Sequence, residues 1–230
     1  MFGGFIRENE LKQLQDAHEI NKKELEYKFA MGSYENELKE KYCAIPPSKL
    51  IEPDFQTIAT ALEDSKFCLT SETLRGMFAS LIANACNSDK KDNVHPSFSS
   101  VLRQMSPLDA QTLSLFATQD EYQIANYSYS VRNVIGGSKV VAEFIFLGNE
   151  DCVDLTKQAQ SISSLMRLGL LRIPDDLLGG YAEEGSAYHK TDLYRELERN
   201  MPKGKYDSVS VGTTLCRITP LGKSLISVCL

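Results

Sequence analysis

Three histidines, His18, His95 and His189, are the only imidazoles in the 230-residue chain. Asp89 and Asp92 precede His95 in a wholly polar loop. Two carboxylates and an imidazole are donors for a divalent cation, and an imidazole beside a carboxylate is also how a general base is built. Both readings ask for more than the sequence offers. A metal needs further ligands, and a base needs an oriented partner and a cleft. The pattern therefore predicts no catalytic residue, no metal and no cofactor. His95 is instead expected to be structural, capping the helix that follows Pro96 or hydrogen-bonding the preceding loop, with Asp89 and Asp92 near enough to accept from its ring.

Other reactive patterns are equally sparse. The six cysteines are Cys43, Cys68, Cys86, Cys152, Cys216 and Cys229, and no two have CxxC spacing. Most fall on apolar faces and read as small buried thiols of a reduced protein. Gly136-Gly137 lacks the context of a phosphate loop, and no nucleophile elbow occurs.

The loop that carries His95 is set between helices. Leu74, Met77, Phe78, Leu81, Ile82 and Ala85 recur at the spacing of one helical face. Thr70 or Ser71 caps that helix, and Glu72 suits its first turn. Asn87 to Asn93 ends it. Pro96 fits the first turn of a second helix, with Phe98, Val101, Leu102 and Met105 inward. Ser106-Pro107-Leu108-Asp109 starts a third, with Ser106 as cap and Asp109 reaching back, and Leu108, Leu113 and Phe116 inward.

The stretch LRGMFASLIANACNSDKKDNVHPSFSSVLRQMSPLDAQTL resembles the abortive infection alpha family of bacterial proteins. The resemblance lies in Leu74, Arg75, Met77, Phe78, Ala79 and Leu81, then His95-Pro96-Ser97-Phe98, then Ser106-Pro107. It extends upstream to Ile45-Pro46-Pro47 and Leu50-Ile51-Glu52-Pro53. Downstream it reaches Leu165 to Leu171 and Thr219 to Lys223, so it covers roughly residues 45 to 225. It implies a part in abortive infection, a bacterial antiphage defence, and supplies no catalytic residues. The residues it singles out as structural or interaction candidates are Asn84, Asn87, Asp89, Asp92, His95, Pro96 and Phe98.

Before that stretch, residues 8 to 43 read as mostly helical. Leu11, Leu14, Ala17, Ile20, Leu25 and Phe29 make an imperfect apolar stripe, and Glu37–Lys41 is an available ion pair. Gly32-Ser33 is expected to interrupt the helix. His18 and Asn21 fall where a coiled-coil seam wants apolar groups, which favours a solvated helix packed by one face over a partner-binding arm. Ile45-Pro46-Pro47 leaves the helix. Pro53 opens another, with Phe55, Ile58, Ala59 and Leu62 on one face. Met1 to Ile6 is too short for a signal-peptide core and reads as a frayed tip or the remnant of a longer parent.

After Gln119 the period shortens. Tyr127, Tyr129 and Val131 alternate with polar residues, and Val140 to Leu147 is β-rich, so two strands flank a Gly136-Gly137 turn. Tyr122, Tyr127 and Tyr129 read as cover for a half-buried sheet rather than a ligand surface. Asp154 to Leu168 is helical and stopped by a left-handed Gly169 before an apolar strand. Thr214 to Ile218 forms a strand, Thr219-Pro220 opens a terminal helix, and Thr191 to Met201 adds a short one with Leu193 and Leu197 inward. Helix, strand, strand and helix are similar to the latter half of a winged-helix module. Pro174 to Gly212 makes an unusually long wing, with Gly179-Gly180, Gly185 and Gly204 as its flexible points.

The expected architecture is α+β and mostly α. Residues 1–118 form a helical bundle, and residues 119–230 form a β-hairpin plus a winged-helix-like region with an elongated wing; helix 107–118 is shared between them. A net charge of −6 opposes broad nucleic-acid binding. Lys157 and Arg167 are the residues a DNA-binding version would use, but Asp151 and Asp154 oppose the phosphate field. No apolar run reaches membrane-spanning length. These features, with the resemblance, describe a non-enzymatic cytoplasmic protein of antiphage defence. It would act through contacts with a phage- or host-encoded protein, with self-association open. The alternatives are a winged-helix DNA-binding regulator and a toxic effector of unrecognised activity.

Overall fold

The computed structural model describes residues 2–131, 137–174, 180–183 and 185–230, with residues 2–18, Asn21 and Tyr181 described by their backbone alone. The side chains of Leu11, Leu14, Ala17, His18 and Asn21, and the positions Gly136 and Gly179, therefore lie outside the described residues. The chain divides into two compact units, residues 1–103 with 228–230, and residues 104–227.

The first unit is helical. Its elements are α1 (Phe2–Cys43), α2 (Phe55–Ser65), α3 (Glu72–Ala85) and α4 (Phe98–Arg103), with 3-10 turns at Pro47–Lys49 and Lys91–Asn93. α3 is the centre, packed against α1, α2 and α4. The expected face of Leu74, Met77, Phe78, Leu81, Ile82 and Ala85 is buried, and so are Ala79, Ser80 and Ala83. Three neighbouring helices cover more of α3 than the one face its spacing announces. Ser71 is the cap, its Oγ accepting the Leu74 N–H at 3.4 Å.

Four expectations change here. α1 runs unbroken through Gly32-Ser33. A Cβ at Gly32 would meet nothing within 4 Å. Ala30 and Tyr34 on either side are buried, so packing holds the helix across its weak residue. Glu37 bonds Arg75 Nε at 2.7 Å rather than serving Lys41, because α3 brings a half-buried guanidinium to it. Arg75 also donates to the Leu69 carbonyl at 3.1 Å.

The third change concerns α2, where Ile58 packs against Ile45, Ala83 and Cys86 as its spacing implies, but Phe55 and Leu62 turn outward. Phe55 is 85% and Leu62 41% exposed, whereas Ala61 and Ser65 are buried. Small residues let α2 approach α3 and α4 closely, and Cys68 and Leu69 fill the space beyond it. Finally, Pro96 and Ser97 form a turn ahead of α4 rather than its first turn. Phe98, Val101, Leu102 and Met105 are buried as expected.

The second unit contains α5 (Pro107–Leu115), β1 (Glu121–Ser130), β2 (Ser138–Phe146), α6 (Leu155–Arg167), β3 (Leu171–Arg172), β4 (Gly180–Tyr181), α7 (Asp192–Asn200), β5 (Ser208–Ile218) and α8 (Pro220–Cys229). The residues of α8 from Val228 onward group with the first unit. α5 has the full capping box: Ser106 Oγ accepts the Asp109 N–H at 3.1 Å and Asp109 Oδ2 accepts the Ser106 N–H at 2.8 Å. Gly169 stops α6 at φ +74°, as its position foretold.

The sheet is antiparallel in the order β2-β1-β5-β3, with β4 also on β5. Its backbone is the register of β1 on β5, from Glu121↔Arg217 to Ser130↔Ser208. β5 is longer than the expected Thr214–Ile218 because Ser208 to Thr213 also pair with β1. One face carries Ala125, Tyr127, Tyr129, Val209 and Val211, against which Leu193 and Leu197 of α7 pack. Tyrosine hydroxyls fasten that helix and the 3-10 turn before it at Ala187–Lys190, and Tyr129 donates to the Leu197 carbonyl of α7 at 3.4 Å. Tyr127 donates to the Tyr188 carbonyl at 2.8 Å, and Tyr188 donates back to the Gln123 carbonyl at 2.9 Å. Tyr127 and Tyr129 are thus buried covers of the sheet.

Candidate functional site

Asn87, Asp89, Asp92 and Pro96 lie in or beside the loop at the C-terminal end of α3. As α3 ends at Ala85, the chain turns back along the segment that precedes α2. The Ile51 N–H donates to the Cys86 carbonyl at 3.0 Å and the Ser88 N–H to the Lys49 carbonyl at 2.9 Å, which makes an isolated antiparallel bridge of Leu50 and Asn87. Asn87 then organises the loop. Its Oδ1 accepts the Asp89 N–H at 3.0 Å. Its carbonyl accepts the N–H groups of Lys90 and Lys91 at 3.0 and 2.9 Å. Such Asn-centred turns satisfy loop N–H groups that would otherwise be left unpaired. Asp89 forms an ion pair with Lys49, which ties the loop to the preceding segment a second time.

Between these strands of chain lies an open cleft of about 620 Å³. Its walls are Ile51, Pro53, Val94 and Pro96, with Ala85 and Thr57, and its charged groups are Glu52, Asp54, Lys91 and Asp92. Asp54 is committed to α2 as its cap. The Thr57 N–H donates to its Oδ2 at 2.8 Å and the Thr57 hydroxyl at 3.0 Å, and these bonds hold its carboxyl below the usual range. An apolar floor rimmed by three carboxylates and one ammonium suits an apolar group with a cationic neighbour. Among the described residues, no three His, Cys, Asp or Glu side chains converge as metal ligands.

The candidate residues have different places in this structure. Asp92 and Pro96 line the cleft, while Asn87 and Asp89 build its loop. Phe98 is fully buried and anchors the following helix. Asn84 faces another way, its Nδ2 donating to the Val228 carbonyl at 2.7 Å and holding the chain terminus within the same unit. His95 is exposed and bonds locally. Its Nδ1 accepts the Ser97 N–H at 3.2 Å and lies 2.7 Å from Ser97 Oγ; its ring leans on Phe98 at 5.9 Å between centroids. The imidazole therefore serves the Pro96 turn itself, and Asp89 is taken by Lys49.

This bond makes a testable distinction. An Asn side chain can accept the same N–H two residues on, whereas Ala cannot. His95→Asn should keep the melting temperature close to that of the parent. His95→Ala should lose about 0.5–2 kcal/mol, the range for a lost cap. Equal losses in thermal unfolding of the two variants would remove the turn from the explanation.

Sequence spacing missed Glu52 and Lys91, because the cleft unites the residues before α2 with the loop after α3. The signal present was the Leu50-Ile51-Glu52-Pro53 run itself, a proline-marked extended segment. In the second unit, Lys157 lies 4.0 Å from Asp154, and Arg167 donates to Gln104 Oε1 at 3.1 Å. The two are ten positions apart on α6, and the first is held near a carboxylate that caps the helix.

Four of the thiols are buried in apolar surroundings. Burial pushes Cys216 up to about 12 and raises Cys68, Cys86 and Cys229 as well, so these remain S–H at neutral pH. Most of the cysteines are thus buried as expected, while Cys43 is exposed and Cys152 half-buried.

No helix among the described residues is long and apolar enough to cross a membrane. No curated protein and no solved structure matches the chain. A family model described as abortive infection alpha matches residues 26–229. That span takes in the α3 helix, the Asn87-centred loop, the cleft and all of the second unit, and the chain belongs to the abortive infection alpha family.

Proposed function

We propose that this protein serves antiphage defence as a binding protein rather than an enzyme, and that it engages a protein partner through the cleft face of its first unit. The observation that carries this reading is Phe55. It is 85% exposed at the start of α2, between Asp54 and Thr57, which both line the cleft. A large aromatic beside an apolar cleft with a charged rim has the make-up of a protein-interface anchor. The site's own chemistry supports the same choice, since its carboxylates are engaged in capping or stand at the rim without an oriented base.

The second unit is read as a scaffold of winged-helix-like connectivity. α5 packs on α6, β3 pairs with β5, and α8 follows. Gln104 and Asp154 lie on the cations that a DNA-reading helix would offer to phosphates, and this favours packing over nucleic-acid binding. α7, fastened to the sheet through tyrosine hydroxyls, supports the same role for the long segment between β3 and β5.

Phage challenge of bacteria expressing the protein tests the proposal. Wild type should protect the culture, and Phe55→Asp should abolish protection at unchanged protein level and melting temperature. A lost interface anchor of this kind costs about 2 kcal/mol or more of binding, over tenfold in affinity. Full protection by Phe55→Asp, or none by wild type against any phage of a broad panel, would overturn it.

A further inference from the structure

The rim of the cleft in the first unit carries charge that the chain leaves unanswered. Glu52, Asp54 and Asp92 stand around it against one ammonium, that of Lys91. Nearby acids have their own cations: Asp89 holds Lys49, and Glu63 holds Lys66. Glu52, Asp54 and Asp92 belong to no ion pair among the described residues, and all three are exposed. The Thr57 bonds that make Asp54 a cap are bonds to its ionised form, so its charge stays at the rim.

This surplus of negative charge borders an apolar lining. Ile51, Pro53 and Val94 are half-buried, which leaves part of each open to a side chain from outside. Phe55 follows Asp54 directly and is 85% exposed. The lining favours an apolar group, and the rim favours a cation. Beside an aromatic ring, the best-suited cation is a guanidinium. It is planar, its five N–H donors match carboxylate oxygens, its flat face stacks on aromatic rings, and it is less strongly hydrated than an ammonium. A lysine answers the charge alone, and a phosphate-bearing partner meets like charge.

We propose that the segment received by this cleft is a stretch of a partner protein in which an arginine adjoins an apolar side chain. The proposal rests on the docking role given above to the same face. The apolar side chain covers Ile51, Pro53, Val94 and Pro96, while the guanidinium donates to Glu52 and Asp92 and turns its flat face to Phe55.

Selection from a messenger-RNA-displayed library of random heptapeptides on the full chain tests this. Wild type should enrich peptides in which arginine stands next to leucine, isoleucine, valine or phenylalanine. Fluorescence anisotropy of an enriched peptide should show affinity falling at least tenfold, about 1.4 kcal/mol, when its arginine becomes citrulline, which keeps the shape and loses the charge. Glu52→Gln combined with Asp92→Asn should weaken binding by a similar factor. The melting temperature should stay unchanged, because both carboxylates are exposed and outside any ion pair. Peptides that bind wild type, fail on Phe55→Asp and keep their affinity with citrulline would overturn the arginine and leave the docking role standing. Affinity untouched by the Glu52 and Asp92 double variant would overturn it as well. Enrichment on wild type no greater than on Phe55→Asp would remove both the arginine and the docking role.

Discussion

Phe78→Ala should destabilise the first unit by about 3–5 kcal/mol. Phe78 is fully buried at the middle of α3, where α1, α2 and α4 converge. Truncation loses the transfer energy of the ring and leaves a cavity. The surrounding residues Leu74, Met77, Leu81 and Ile82 belong to the same helix and cannot all move inward, so the cavity persists. For a unit of this size the loss corresponds to a fall of more than about 10 °C in melting temperature. Thermal and urea unfolding followed by far-UV circular dichroism measure it. A melting temperature within a degree or two of the parent would mean that α3 is not the centre of the unit.

The second large effect is one of sign. Gly to Ala within a helix ordinarily stabilises by about 0.5–1 kcal/mol. Gly222→Ala in α8 should instead destabilise, by about 1–3 kcal/mol. A Cβ there would stand 2.5 Å from the Leu170 carbonyl oxygen and 2.8 Å from Ile218 Cγ1. The Leu170 carbonyl cannot withdraw freely, since it accepts the Thr219 N–H at 2.9 Å. Thr219 Oγ1 meanwhile donates to the Gly169 carbonyl at 2.6 Å and accepts the Gly222 N–H at 3.0 Å. The start of α8 is thus laced to the stop of α6 at the point where the extra methyl would enter. Gly32→Ala in α1, with nothing within 4 Å of its Cβ, is the matched control and should stabilise. If both substitutions raise the unfolding midpoint alike, the close approach of α8 to Leu170 is not present in solution.

Local chemistry was legible wherever a residue acts on its own neighbours. Ser71, the Ser106–Asp109 capping box and the left-handed Gly169 all satisfy backbone groups within a few positions, so their spacing is their structure. The apolar period of α3 belongs with them, as does the alternation of β1. His95 was legible as a turn residue for the same reason, although its partner proved to be Ser97 rather than an aspartate.

What the sequence could not carry is whatever depends on which surface meets which. α2 has an apolar face by spacing, yet Ala61 and Ser65 pack while Phe55 is left outside, because close approach rewards small residues. Glu37 had a local partner in Lys41 and took Arg75 from another helix. The cleft lies where the Leu50–Asn87 bridge joins two segments far apart in the chain. Periodicity and caps are properties of one segment, written in its own residues. Helix rotation, long-range ion pairs and clefts are decided by competition among segments for the same core, and that competition is settled only in the folded chain.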